Sequence, residues 1–134
     1  MQFEFLDHAA DMKFKAYGRT LNEAFEHAVL ATTAYMSGGA VITGTTEKQI
    51  NISGNDYESL LYKLFDELLF LLDTEGFITS KAKIKIEGFV LRANLIGGAA
   101  KGRELNHIKA ATYYDMHIKQ TGPHKWEVQA VLDV

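Results

Sequence analysis

The sequence predicts an α+β fold, with two helices packed against a mostly antiparallel β-sheet. Three observations carry this. Met12 to Tyr17, Lys81 to Glu87, Phe89 to Leu95 and Lys125 to Val134 alternate apolar with polar residues, the period of a strand with one solvated face. Leu21 to Met36 and Tyr57 to Leu72 instead place apolar residues at helical spacing. No internal repeat or linker interrupts the 134 residues, which points to a single domain spanning 1–134.

Each element has a local reason. Phe3 to Leu6 and Met12 to Tyr17 read as two short strands, with Gly18-Arg19 as the turn that follows. Thr20 is placed to N-cap the first helix, with Glu23 completing a capping box. His27 lies inside this helix and reads as a surface residue; Ser37-Gly38-Gly39 stops it. Val41 to Ile52 is β-like, and Asn55 is the expected cap of the second helix. There Tyr57, Leu60, Leu61, Leu64, Phe65 and Leu68 form an apolar stripe, and Phe70 to Leu72 make the end apolar nearly all round. That predicts a central core helix covered on more than one side, with an exposed partner-binding ridge as the alternative. Ile96 to Arg103 is glycine-rich but lacks the Gly-Lys-Ser/Thr ending of a phosphate loop, so it reads as a flexible loop. Ala111 to Lys119 and Lys125 to Asp133 read as a hairpin joined through Gln120 to His124.

Composition excludes several functions. The chain has no cysteine, so disulfides, zinc–thiolate sites and thiol nucleophiles are ruled out. A net charge of −3 gives no general affinity for nucleic acid, and the lysines at 81, 83 and 85 read as a solvated sheet face. Direct nucleic-acid binding is therefore not expected; action near RNA would run through another protein. The apolar stretch from Leu60 to Leu72 is broken by Lys63, Asp66 and Glu67 and cannot span a bilayer. With no basic-then-apolar leader at the start, a cytoplasmic location is expected.

Polar chemistry concentrates at three places. Leu6-Asp7-His8-Ala9-Ala10-Asp11 sets two carboxylates and an imidazole between apolar flanks. Burying such groups costs free energy unless each is partnered, so the segment is either a solvated turn or a ligand site. The last strand reads through to Asp133-Val134, which would hold the Asp133 side chain and the Val134 carboxylate in place. If those oxygens lie beside Asp11, they would favour a hard divalent cation. Third, Lys109 sits among apolar and aromatic residues between Asn106 and Tyr114, either as a snorkelling surface lysine or as a cation that meets a phosphate or an acidic partner. His107 and His117 stand alone and read as structural or exposed.

Taken together, these segments resemble the archease family. The resemblance rests on Phe5-Leu6-Asp7-His8-Ala9-Ala10-Asp11, Thr20-Leu21-Asn22-Glu23-Ala24-Phe25, Ile108-Lys109-Ala110-Ala111-Thr112-Tyr113 and the ending Trp126 to Val134. It implies a strand-helix-strand-strand module with an inserted segment. It also implies a non-catalytic protein cofactor of the RtcB-type tRNA-splicing RNA ligase, promoting GTP-dependent guanylylation of the ligase and its repeated turnover. The family's metal site maps onto Asp11, Asp133 and Val134, with Ca²⁺ as the expected ion and Mg²⁺ or Mn²⁺ as alternatives. A lysine needed for ligase activation maps onto Lys109. Ala9 stands where the family commonly has Thr, and Tyr114 where it commonly has His, which puts any imidazole role at 114 in doubt.

Two other readings compete. One is a metal-dependent hydrolase using His8 as a base beside an ion on Asp11, opposed by the lack of a nucleophile or a second spaced histidine. The other is a chaperone-like or tRNA-methyltransferase-modulating binding protein, which would work through apolar surface rather than carboxylates.

Overall fold

The computed structural model describes residues 1–7 and 11–134; His8, Ala9 and Ala10 lie outside the described residues. Its elements are β1 (Phe3–Leu6), β2 (Asp11–Gly18), α1 (Leu21–Ser37), β3 (Thr46–Ser53), α2 (Tyr57–Glu75), β4 (Phe77–Glu87), β5 (Val90–Ala99), β6 (Ala110–Ala111), β7 (His117–Gly122) and β8 (Lys125–Asp133). A five-stranded sheet runs β1-β2-β8-β6, with β7 also pairing to β8. A second sheet runs β3-β5-β4 and, with α2, forms the segment inserted between α1 and β6. Every pairing among the described residues is antiparallel, in keeping with the predicted α+β class.

Alternation decides which faces are buried. Met12, Phe14 and Ala16 on β2 oppose Leu132, Ala130 and Val128 on β8, and all six are buried. On the second sheet Leu91, Ala93 and Leu95 of β5 turn the same way. The helices fill the space these faces leave, and one cluster of buried side chains draws on both sheets and both helices. In α2, Leu60, Leu61, Leu64, Phe65, Leu68 and Leu71 are buried, and Phe65 meets Phe14 edge-on at 6.1 Å between centroids.

Helix α1 also closes a sheet edge. β4 is an outer strand, and its free amides would otherwise template aggregation. The Glu26 carboxylate accepts from the Ile84 N–H at 2.8 Å, and Asn22 Oδ1 accepts from the Ile86 N–H at 3.0 Å. The Thr33 hydroxyl donates to the Thr79 carbonyl at 2.6 Å, binding the same pair of elements from within.

Several expectations are corrected. The glycine-rich run is not a loop through Ile96 to Ala99: those residues form the end of the central strand β5. The cap of α2 is Asp56, not Asn55, with Ser59 completing the box; Asp56 Oδ1 accepts from the Ser59 N–H at 2.7 Å. Phe70 is not covered but 54% exposed, so α2 is a core helix with one open flank. Strand β3 starts at Thr46 rather than Val41. The expected strand from Ala111 to Lys119 divides into β6 and β7, with a turn between them at Asp115, whose φ is 52°. His27 is half-buried and bonded through Nδ1 to the Tyr17 carbonyl, which ties α1 to the end of β2. Replacing Asp56 by Ala is expected to lower stability by about 1 kcal/mol, read as a shifted urea midpoint with unchanged slope.

Candidate functional site

Asp11 opens β2 and Asp133 closes β8, and the antiparallel register makes them direct partners. Opposed residues point to the same face with Cβ atoms about 5 Å apart. The next pair, Met12 and Leu132, turns inward, so the two carboxylates project on the solvent face at one end of the sheet. Neither sequence segment carries this proximity by itself. It follows from the buried set: a slip of one residue would put Phe14 and Ala130 outside.

Lys109 reaches the same end from the other side of β8. Ala110 pairs with Asp133, and the Lys109 N–H donates to the Asp133 carbonyl at 2.7 Å. The approach to it is pinned as well. Asn106 Nδ2 donates to the Tyr35 carbonyl at 2.9 Å, which also accepts from the Gly38 N–H, and the Asn106 backbone N–H donates to the Met36 carbonyl at 2.8 Å, closing the end of α1. Ile108 is buried between these anchors and Lys109 is exposed. The structure thus brings Asp11, Asp133 and Lys109 to one sheet end, with Val134 packed partly into the core beside them. Asp7 is exposed at the exit of β1. His8 lies outside the described residues.

Sequence reasoning missed two further features. Tyr113, two residues beyond β6, stacks on Tyr62 of α2 at 4.3 Å with the rings 9° from parallel. Tyr62, Asp66 and Phe70 recur every four residues, so Tyr113 extends a ridge along the open flank of α2. Only the aromatic content of the 113–114 pair hinted at this. Although both residues are exposed, partial desolvation against α2 pushes the Tyr113 phenol up, helped by Asp56, Tyr62 and Asp66, and partial desolvation also raises the Asp66 carboxyl.

The second feature lies on the solvent face of the five-stranded sheet. His117 Nε2 is 2.7 Å from Glu127 Oε2, with the Lys119 and Lys15 ammonium groups at 3.6 and 3.9 Å. Burial by itself would raise Glu127, but His117, Lys15 and Lys119 outweigh it and hold the carboxyl below its usual range. Beside it, Tyr17 donates to Glu4 at 2.9 Å; burial first, then Glu4 and Glu127, push its phenol from 10.0 up to about 12. A depressed carboxyl stabilises the fold above its unfolded value and stops doing so as pH falls through the folded one. Acid unfolding of Glu127→Gln is therefore expected to depend less steeply on pH below the usual Glu range than that of the parent, as acid titration followed by circular dichroism would read.

With this geometry in place, the chain can be set beside known proteins. The sequence profile of the Archease protein family (MTH1598/TM1083) matches residues 3–134. The chain belongs to the archease family. A protein archease from Pyrococcus furiosus is 36% identical, covering 99% of each chain. One from Methanothermobacter thermautotrophicus is 40% identical over 87% of each. The solution structure of Methanobacterium thermoautotrophicum protein 1598 superposes with a TM-score of 0.82 at 33% identity, covering 99% of both chains. The crystal structure of a Thermotoga maritima archease, described as a possible chaperone, shares the fold with a TM-score of 0.70 at 22% identity, over 96% of this chain and 94% of that one. No helix among the described residues of this family member is long and apolar enough to cross a membrane.

The donor set can be tested against a metal. Among the described residues no three His, Asp or Glu side chains group closely enough to hold an ion. The sheet end offers two carboxylates, Asp11 and Asp133, to which a terminal carboxylate on Val134 would add a third. All are hard oxygens, which suits Ca²⁺, Mg²⁺ or Mn²⁺ and not a thiolate-seeking metal. Two carboxylates opposed across a ladder repel, and a divalent cation between them reverses that term. The residues therefore fit a hard cation, but an incomplete set: such ions take six or more ligands, so water or another molecule must supply the rest.

Proposed function

We propose that this chain is a non-catalytic activator of an RtcB-type tRNA-splicing RNA ligase, promoting GTP-dependent guanylylation and multiple turnover. Asp11, Asp133 and the Val134 carboxylate would hold a divalent cation, Ca²⁺ in the first place. Lys109 would contact the ligase. The observation that carries this reading is the register that sets Asp11 opposite Asp133 and hangs Lys109 on the Asp133 carbonyl.

The incomplete donor set is what an ion shared between two proteins requires. This chain contributes two or three carboxylates and leaves open positions that a ligase active site can fill. Bound there, the ion would neutralise the acidic sheet end and allow an anionic partner to approach. Lys109 would then face that partner's phosphate or carboxylate groups while its backbone stays fixed by Asn106 and Asp133. The Tyr62–Tyr113–Phe70 ridge offers apolar contact area beside it. Nothing in this scheme asks the chain to make or break a covalent bond.

The experiment is ligation of RNA by the cognate ligase with GTP and substrate in excess, with and without this chain. Faster repeated turnover supports the proposal. Turnover unchanged by a folded chain would refute it. A second reading, a binding protein that holds client proteins or modulates a tRNA methyltransferase, is favoured by the exposure of Phe70, Tyr113 and Tyr114. Suppression of client aggregation that survives Asp11→Ala with Asp133→Ala, and is lost with Phe70→Ser, would select it.

A further inference from the structure

We infer that the solvent face of the β3-β5-β4 sheet binds an extended single strand of nucleic acid through its phosphates. This surface belongs to the inserted segment and shares no residue with the Asp11–Asp133 end, so the inference stands apart from the ligase reading.

The register builds the face. Gln49, Asn94 and Lys83 form one row across the three strands, and Asn51, Arg92 and Lys85 the next. Together they line an open cleft of about 820 Å³. Lys81 extends the line of cations along β4, each about 6.6 Å from the next, the two-residue repeat of a strand. A line of cations at even steps fits a polyanion better than a single anion.

Most cations of this face are free to meet an anion, unlike several lysines elsewhere. Lys13, Lys15, Lys48 and Lys119 each have a carboxylate within 4 Å. Among the described residues no carboxylate pairs with Lys81, Lys83 or Arg92, and all three are exposed. Lys85 is held by Glu87 at 3.1 Å. The overall −3 charge argues against nucleic-acid binding only while charge is taken as evenly spread. On this face Lys81, Lys83, Lys85 and Arg92 outnumber Glu47, in the row of Lys81, and Glu87, beside Lys85, and the excess positive charge acts locally within a Debye length.

The amides choose among polyanions. Gln49, Asn51 and Asn94 each offer both donors and acceptors, the groups that meet base edges. Asn94 Oδ1, in the middle of the cleft, is buried without a hydrogen-bond partner. The bases of a strand lying across these rows would meet the three amides, and base edges carry matching donors and acceptors. No aromatic residue stands in these rows, so binding would be salt-sensitive and weakly sequence-selective, without stacking.

The test is fluorescence anisotropy of the full chain with labelled oligouridylate, and with oligothymidylate of equal length, over a range of salt. Three released counterions at about 0.7 each predict a log–log slope near −2 for the parent. Lys83→Gln with Arg92→Gln should weaken binding by about tenfold at low salt, whereas Lys101→Glu on an exposed loop should change it less than about twofold; circular dichroism checks folding of both. Tighter binding of the ribo-oligomer would add contacts to the 2′-hydroxyl, and equal binding of the two would leave phosphate recognition as the basis. Binding that ignores salt, or survives the double substitution unchanged, overturns the inference. So does displacement by polyglutamate as effective as by unlabelled oligouridylate, which would reassign the face to acidic peptides.

Discussion

Asp133→Ala is expected to abolish stimulation of ligation in the proposed activator role while the chain stays folded. The side chain projects to solvent at the last ladder position, so its removal leaves no cavity and breaks no backbone pairing. What it removes is half of the opposed carboxylate pair. If Asp133 is the ligand proposed, its loss should lower Ca²⁺ affinity by at least about tenfold, since changes to groups that only orient ligands already cost that much. Calorimetry with Ca²⁺ would read the metal, and multiple-turnover ligation would read the function. Asp133→Asn keeps the shape and removes the charge, so an equal loss in that variant assigns the effect to the carboxylate. Lys109→Ala separates the partner contact from the metal: its backbone N–H to Asp133 is retained, so Ca²⁺ binding should persist while stimulation falls. Unchanged Ca²⁺ affinity in Asp133→Ala would remove the metal assignment.

Gly97→Ala is expected to be the most damaging single substitution for the fold. Gly97 lies in β5, paired to Thr46 on one side and Thr79 on the other. A Cβ there would overlap the Ile78 carbonyl and press on the Phe77 ring. A Cβ added at Gly44 would in turn overlap the Gly97 carbonyl. The Ile78 backbone cannot yield as the tip of a flexible side chain can, so β4 and β5 must separate there. The cost should be about 3 kcal/mol or more, at the upper end for forced overpacking, and a large part of what a domain of this size has to lose. Urea unfolding would measure it. A parent-like midpoint would mean that the close approach is not needed for stability.

Both predictions turn on what could be seen in the residues alone. The strand alternations, the Thr20 cap and the two helical stripes were legible, because each is a local pattern repeated over several turns or pleats. The residues Asp11, Lys109 and Asp133 could be singled out by their polar character among apolar neighbours and by resemblance to a family. Their adjacency could not. Asn55 and Asp56 are both able to cap, and only the chain direction entering α2 selects Asp56. The exposure of Phe70 was hidden for a similar reason: an apolar run shows that a helix is buried somewhere, not which flank is left open.

The glycine-rich run marks the boundary most clearly. In the sequence Gly97 and Gly98 signal freedom, because glycine loses the most entropy when ordered. In the fold they signal confinement, since three backbones meet where no Cβ fits. The sequence by itself determined the periodicities, the acidic and cysteine-free composition and the identity of the candidate residues, all properties of the chain read a few residues at a time. The tertiary structure alone decided that Asp11 faces Asp133, that Asn106 anchors the approach to Lys109, and that Arg92 and Asn94 stand beside the lysines of β4. Those are contacts between segments far apart in the chain, set by which register buries the apolar faces of both sheets together.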